Sequence, residues 1–196
     1  WLDSSLKFSN HIDKISSKIS AAISVISKVS SYLSIDQRKM LYNALVLPYF
    51  NYCSITWSTT DQKYLNVLEK LQKSAARMVL CVPSRTRPRE VYSRLNWTDL
   101  QTKWKINRCL MVHKCLNNNV PEYLQNHFNY VNRRYNTRQS ENLSIPRNRT
   151  VQGQRSFKYT GTKDYNSIPQ NLKSIESHQS FKRNVKGHFQ DLYKQM

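Results

Sequence analysis

Phosphoryl transfer by the two-metal route needs a pair of carboxylates held a few ångströms apart on one hairpin. The chain does not offer that pair. Asp3, Asp13, Asp36, Asp61, Asp99, Asp164 and Asp191 share no motif, and no Asp-Asp dipeptide occurs. Cys109 and His113 stand four residues apart, with Cys115 close behind. On a helix the first two share a face, and a thiolate and an imidazole so placed can bind zinc. A structural zinc site requires four ligands, however. The neighbours Leu110 and Val112 mark a packed helix face, where a small thiol and a half-buried imidazole are ordinary core residues. These patterns lead us to expect no catalytic residue, no metal site and no cofactor in this chain.

The basic residues point elsewhere. At about 100° per residue, Ser16, Ser20, Ser24, Ser27 and Ser31 fall on one stripe of a helix, away from its isoleucines, with Lys14, Lys18 and Lys28 flanking them. Small hydroxyls let a helix approach a nucleic-acid backbone closely and donate to its sugar and phosphate oxygens, while lysines neutralise phosphates. Serine is a mediocre helix former, so propensity does not explain the stripe. The competing reading is a plain solvated face. Arg85, Arg87 and Arg89 alternate in a proline-bounded loop. Arg133, Arg134, Arg138, Arg147, Arg149 and Arg155 are strung through a polar segment near Tyr130, Tyr135 and Tyr159. Arginine with tyrosine in a flexible segment suits single-stranded or structured RNA, through phosphate pairing and base stacking; the competing reading is a disordered basic tether. Trp57, Trp97 and Trp104 read as core residues rather than stacking platforms.

Helices must position these groups. Ile12, Ile15, Ile19, Ile23, Ile26, Val29 and Leu33 step by three or four, which predicts an amphipathic helix of about six turns. Ser34-Ile35-Asp36-Gln37 has the form of a capping box and opens a second helix, which Pro48 should interrupt. Asp61 can cap a third, with Leu65, Leu68, Leu71, Ala75 and Val79 inward, ending by Pro83. Pro88 starts a short helix through Leu95. Thr98-Asp99-Leu100-Gln101 reads as a second capping box, opening a helix to about Leu116, and Pro121 to Phe128 gives another short helix. From Asn129 to Arg155 no helical period is visible, and the segment reads as a linker with one short hairpin. Phe181, Val185, Phe189 and Leu192 mark a final helix. The expected fold is all-α: a three-helix bundle at 1–82, a helical connector at 83–128, and a basic, partly irregular C-terminal region at 129–196.

Composition sharpens the choice of partner. The chain has 31 Lys and Arg against 12 Asp and Glu, a net charge of +19. Residues 131–196 hold 13 of those basic groups and only 4 acids, so the last third is about twice as charge-dense as the rest. A pI near 10.0 implies a polyanionic partner, most simply nucleic acid. With only 3 Gly, the composition argues against a turn-rich β sandwich. Cys53, Cys81, Cys109 and Cys115 lack disulfide-framework spacing and read as reduced thiols of a nuclear or cytoplasmic protein. No apolar run of about 18 residues could span a bilayer. The first helix has too few lysines and too many serines to anchor well at a membrane surface.

Asp3, Leu6, Phe8, His11-Ile12, Lys18-Ile19, Ile26, Leu33, Leu41-Tyr42, Leu45-Val46, Pro48, Tyr52 and Trp57 form one ordered series. Leu65, Leu68, Leu71-Gln72 and Ala75-Ala76-Arg77 continue it, followed by Leu95-Asn96-Trp97, Leu100, Lys114, Leu116, Pro121 and Tyr123-Leu124. Thr137-Arg138, Ile145-Pro146, Arg149-Thr150, Gln154-Arg155-Ser156-Phe157, Asn166-Ser167-Ile168-Pro169 and Ser180-Phe181-Lys182 complete it. In order and spacing this resembles the thumb and C-terminal region of the reverse transcriptase of non-LTR (LINE-type) retrotransposons, in the jockey and CR1-like group. The family's tail usually reads Trp-Asn-x-Leu-Pro, from which Tyr165 and Ile168 depart conservatively. The resemblance implies a parent RNA-directed DNA polymerase that uses Mg²⁺, whose catalytic palm, with its Asp-Asp pair, would lie upstream. It implies as partners an RNA–DNA primer–template, element RNA or target DNA, and that palm domain. This chain would grip nucleic acid and be inert as a polymerase alone. The alternative is a non-enzymatic helical binding or scaffold protein from a repurposed or decayed retroelement reading frame.

Overall fold

The computed structural model describes residues 3–4, 6–131 and 142–195. It is all-α: among the described residues the only β feature is one antiparallel bridge between Tyr130 and Leu143. Two compact units divide the chain, residues 1–103 and 104–196. Residues 83–103, expected in a connector, belong to the first unit, and the remainder of that connector belongs to the second.

In the first unit, α1 (Ser9–Val29) buries Ile12, Ile15, Ile19 and Ile26 on one face. Each such side chain contributes about 1.5–3 kcal/mol when removed from water. A 3₁₀ turn, Ser30–Tyr32, carries the chain to α2 (Ile35–Leu45). The capping box forms as expected: Ser34 Oγ accepts from the Gln37 N–H (3.3 Å) and Gln37 Oε1 accepts from the Ser34 N–H (2.8 Å). Helix α2 stops before Pro48, which occupies the first turn of α3 (Leu47–Asn51), where its missing N–H is harmless. A one-turn α4 (Ser54–Trp57) precedes α5 (Gln62–Leu80), which begins after Asp61 and buries Leu65, Leu68, Ala75, Ala76 and Val79. Helices α1, α2 and α5 each pack against the other two, making a three-helix bundle, and α6 (Pro88–Leu95) lies against α5.

The start of α7 (Leu100–Leu116) corrects the expected cap. Thr98 lies one residue outside the cap position, since the helix starts at Leu100; its carbonyl accepts from Gln72 Nε2 (3.1 Å). Asp99 caps it, accepting from the Thr102 N–H (2.9 Å). A second carboxylate joins it from α5: Glu69 Oε1 accepts from the Leu100 and Gln101 N–H groups (3.1 and 3.3 Å). A carboxylate at a helix N-terminus is stabilised by the unpaired amides there. Glu69 is buried all the same, and that burial, with Asp99 nearby, raises its pKa.

The second unit is more helical than the expected partly irregular region with its linker and terminal helix. Besides the remainder of α7 it contains α8 (Glu122–Gln125), α9 (Val151–Arg155), α10 (Phe157–Asn166), α11 (Gln170–Lys173) and α12 (His178–Gln195). Cys109, Val112 and Cys115 of α7 share one core with Leu143, Tyr165, Ile168, Phe181, Val185 and Phe189. The apolar residues between 143 and 175 are spread over three short helices and their links, so no long period advertised them. Thr150 and Ser156 cap α9 and α10 by accepting from the Gly153 and Tyr159 N–H groups (3.1 and 3.4 Å). Gly161 lets α10 approach α7: a Cβ there would stand 3.0 Å from Val112 and 2.9 Å from Phe157.

Candidate nucleic-acid interface

Helix α1 carries most of the candidate residues. Its isoleucines fix which side faces the bundle, and the rest of its surface follows from the helical period. Ser20, Ser24, Ser27 and Ser31 are exposed, as expected, together with Lys14, Lys18 and Lys28. Ser16 is half-buried and sits at the edge of the packed face.

The structure divides these residues between two depressions on opposite flanks of α1. Ser20, Ser24, Ser27 and Lys28 line an open groove with Ile23, whose other wall is Leu71 and Ser74 of α5. Lys14 and Lys18 lie in a recess with Tyr49 and Tyr52, against α3. Lys18 and Ser20 are about 200° apart around the helix at 100° per residue, so the two lysines cannot border the serine groove. Only Lys28 does. Sequence reasoning did not single out Tyr49 and Tyr52, which line that recess. The signal was present in the aromatic run after Pro48, but the extended backbone of Tyr52 that ends α3, and the αL residue Cys53 (φ 49°) that follows it, were not legible.

The loop arginines are displayed by a structural one. Arg77 Nε and Nη2 both donate to the Thr86 carbonyl (3.1 and 2.9 Å), which ties the 83–87 loop to α5. Arg85, Arg87 and Arg89 are exposed from this loop and from the first turn of α6. In the second unit, Arg147 and Arg149 are exposed and Arg155 is half-buried at the end of α9. Arg133, Arg134 and Arg138, with Tyr135, lie outside the described residues.

Trp57 and Trp104 are buried, and Trp97 packs on Tyr42 with ring centroids 4.3 Å apart, so all three serve the core. His113 is engaged on both ring nitrogens. Nε2–H donates to the Ile175 carbonyl (2.7 Å), which leaves Nδ1 to accept from Asn117 Nδ2 (3.2 Å), and the ring stacks on Phe181 at 3.9 Å. Cys109 and Cys115 are buried, and burial raises both thiol pKa values. Among the described residues no three His, Cys, Asp or Glu side chains are placed to hold a metal ion. Nor is any helix among them long and apolar enough to cross a membrane. No family model, no curated protein and no solved structure matches the chain.

Proposed function

We propose that this chain is the thumb and C-terminal region of a non-LTR retrotransposon reverse transcriptase, and that its own task is to hold nucleic acid. In this reading the polymerase carboxylates and their Mg²⁺ belong to a palm domain. The observation that carries the reading is the exposed face of α1: serines and Lys28 in an open groove on one flank, Lys14 and Lys18 on the other, over a three-helix bundle. Hydroxyls that admit a phosphodiester backbone, with the Lys28 ammonium beside them to neutralise it, suit a primer–template duplex. The ordered residue series running from Asp3 to Lys182 supports the same parentage. Exposed Arg85, Arg87, Arg89, Arg147 and Arg149 would add sequence-independent contacts to element RNA or target DNA.

A second reading looks to Tyr32 of the 3₁₀ turn and Met40 of α2, which are 87% and 69% exposed. Large apolar side chains in water suit a protein partner, as in a non-enzymatic scaffold. A basic groove is what separates the two readings, and the lysine and serine face of α1 favours the first.

Fluorescence anisotropy with a labelled RNA–DNA primer–template at two salt concentrations tests the reading. Binding should weaken by orders of magnitude as salt rises, because each neutralised phosphate releases counterions. Absence of binding at low salt, or binding indifferent to salt, contradicts it. Primer extension should be absent with Mg²⁺ or Mn²⁺; extension abolished by substituting an aspartate of this chain would overturn the assignment of chemistry to the palm.

A further inference from the structure

We infer that the recess between α1 and α3 is a nucleotide pocket, which takes one unpaired nucleotide of a bound strand, its base against Tyr49 and Tyr52 and its phosphate against Lys14 and Lys18. The inference rests on the nucleic-acid reading above and adds to it a location and a ligand unit.

The recess has a volume of about 350 Å³, near the lower end of the range for small-molecule sites. Ile15 and Pro48 are the aliphatic part of its lining. His11 also lines it, and burial holds its imidazole below its ordinary pKa, so it is neutral near pH 7. Lys14 and Lys18 stand one helical turn apart on α1, and the tyrosines face them from α3 and its C-terminus. Lys18 Nζ already lies 5.9 Å from the Tyr49 ring centroid. Two aromatic rings and two ammonium groups beside this aliphatic lining match a flat ring bearing an anion. A base supplies the ring and its phosphate the charge. Paired bases keep their faces within the stack, so the nucleotide must be unpaired.

Tyr52 is the informative residue. It is 73% exposed, yet its backbone is held from both sides. Its N–H donates to the Pro48 carbonyl (2.8 Å), and its carbonyl accepts from the indole N–H of the buried Trp57 (2.8 Å). An aromatic side chain left in water on a pinned backbone is a preorganised stacking surface, because little ordering remains to be done on binding.

The test uses the full chain and two duplexes with a single-nucleotide bulge. In one the bulged position carries a base; in the other it is abasic, so the phosphate charge is identical. The wild type should prefer the base-bearing bulge by about tenfold, as expected for stacking on aromatic side chains. Tyr49→Ala with Tyr52→Ala should erase that preference while keeping affinity for the abasic duplex. Tyr49→Phe with Tyr52→Phe, which keeps both rings and the packing, should retain it. Lys14→Ala with Lys18→Ala should weaken both ligands. A wild type that binds both duplexes equally overturns the pocket and leaves the nucleic-acid reading standing. A preference that survives the double alanine variant does the same, and failure to bind either duplex at low salt removes both.

Discussion

Asn166 holds the peptide of Leu143 with both ends of its amide: Oδ1 accepts the Leu143 N–H and Nδ2 donates to the Leu143 carbonyl, each at 2.9 Å. The same stretch places Tyr165 and Ile168 in the core and starts α11 after Pro169. The Tyr-Asn-x-Ile-Pro sequence is thus a structural clamp that docks an otherwise irregular segment onto α10. Asn166→Ala would leave two polar groups of a fully buried residue without this partner, at about 1–3 kcal/mol each. We expect chemical denaturation to show a loss of at least about 2 kcal/mol. A loss below about 0.5 kcal/mol, the range of ordinary surface changes, would mean the clamp does not hold this segment.

Glu69 gives a second test of the fold. Its carboxylate caps α7 from another helix, so Glu69→Ala removes an acceptor from the Leu100 and Gln101 N–H groups at a buried site. The expected loss is about 1–3 kcal/mol. Glu69→Gln keeps an acceptor oxygen and relieves the burial of charge, so it should lose less. Denaturant midpoints at matched slope would decide, and equal losses for the two variants would show that the negative charge, not the acceptor, is what counts.

His113 ties stability to pH. Burial lowers its pKa from an ordinary 6.5, and burial also lowers those of His11 and His178. The unfolded chain therefore binds more protons than the folded one as pH falls below about 6.5. The stability gained from neutral His113 is present above that value and is lost as pH falls toward the depressed folded value. Thermal melts between pH 7.5 and 5 should show a falling midpoint, and His113→Gln should flatten the slope. A slope unchanged in His113→Gln would assign the acid sensitivity to the other two histidines.

Ile19 is fully buried on the packed face of α1. Ile19→Asp places an uncompensated charge there, which should cost about 3–5 kcal/mol and unfold the bundle. Retained helical circular dichroism and a cooperative melt in this variant would mean the wrong face of α1 has been assigned to the core.

The sequence disclosed most of what a period or a cap can disclose. The isoleucines marked α1, the Ser34 box started α2, Pro48 and Pro88 set α3 and α6, and Phe181, Val185 and Phe189 marked α12. It did not disclose the second unit's packing, because Leu143, Tyr165 and Ile168 are buried by distant partners and not by a local stripe. Truncation after Phe128, harmless if 129–196 were a tether, would instead strip the core from Cys109, Val112 and Cys115. At the candidate site the exposed lysines and serines were legible. The 100° period already sets Lys18 and Ser20 on opposite sides of α1; which residues of α3 and α5 wall the two depressions was not legible, since it depends on where those helices dock beside α1.

The central claim is that the exposed face of α1 holds nucleic acid. The most direct measurement is the affinity of Ser20→Glu with Ser24→Glu for a primer–template duplex, by anisotropy at matched salt, alongside a denaturation curve. Both serines are exposed, so stability should stay within about 0.5 kcal/mol of wild type. Two carboxylates in the groove should repel phosphates and lower affinity at least about tenfold at low salt, with the difference shrinking as salt rises. A folded double variant that keeps full affinity at low salt would show that the serine groove is only a solvated surface, and would contradict the account.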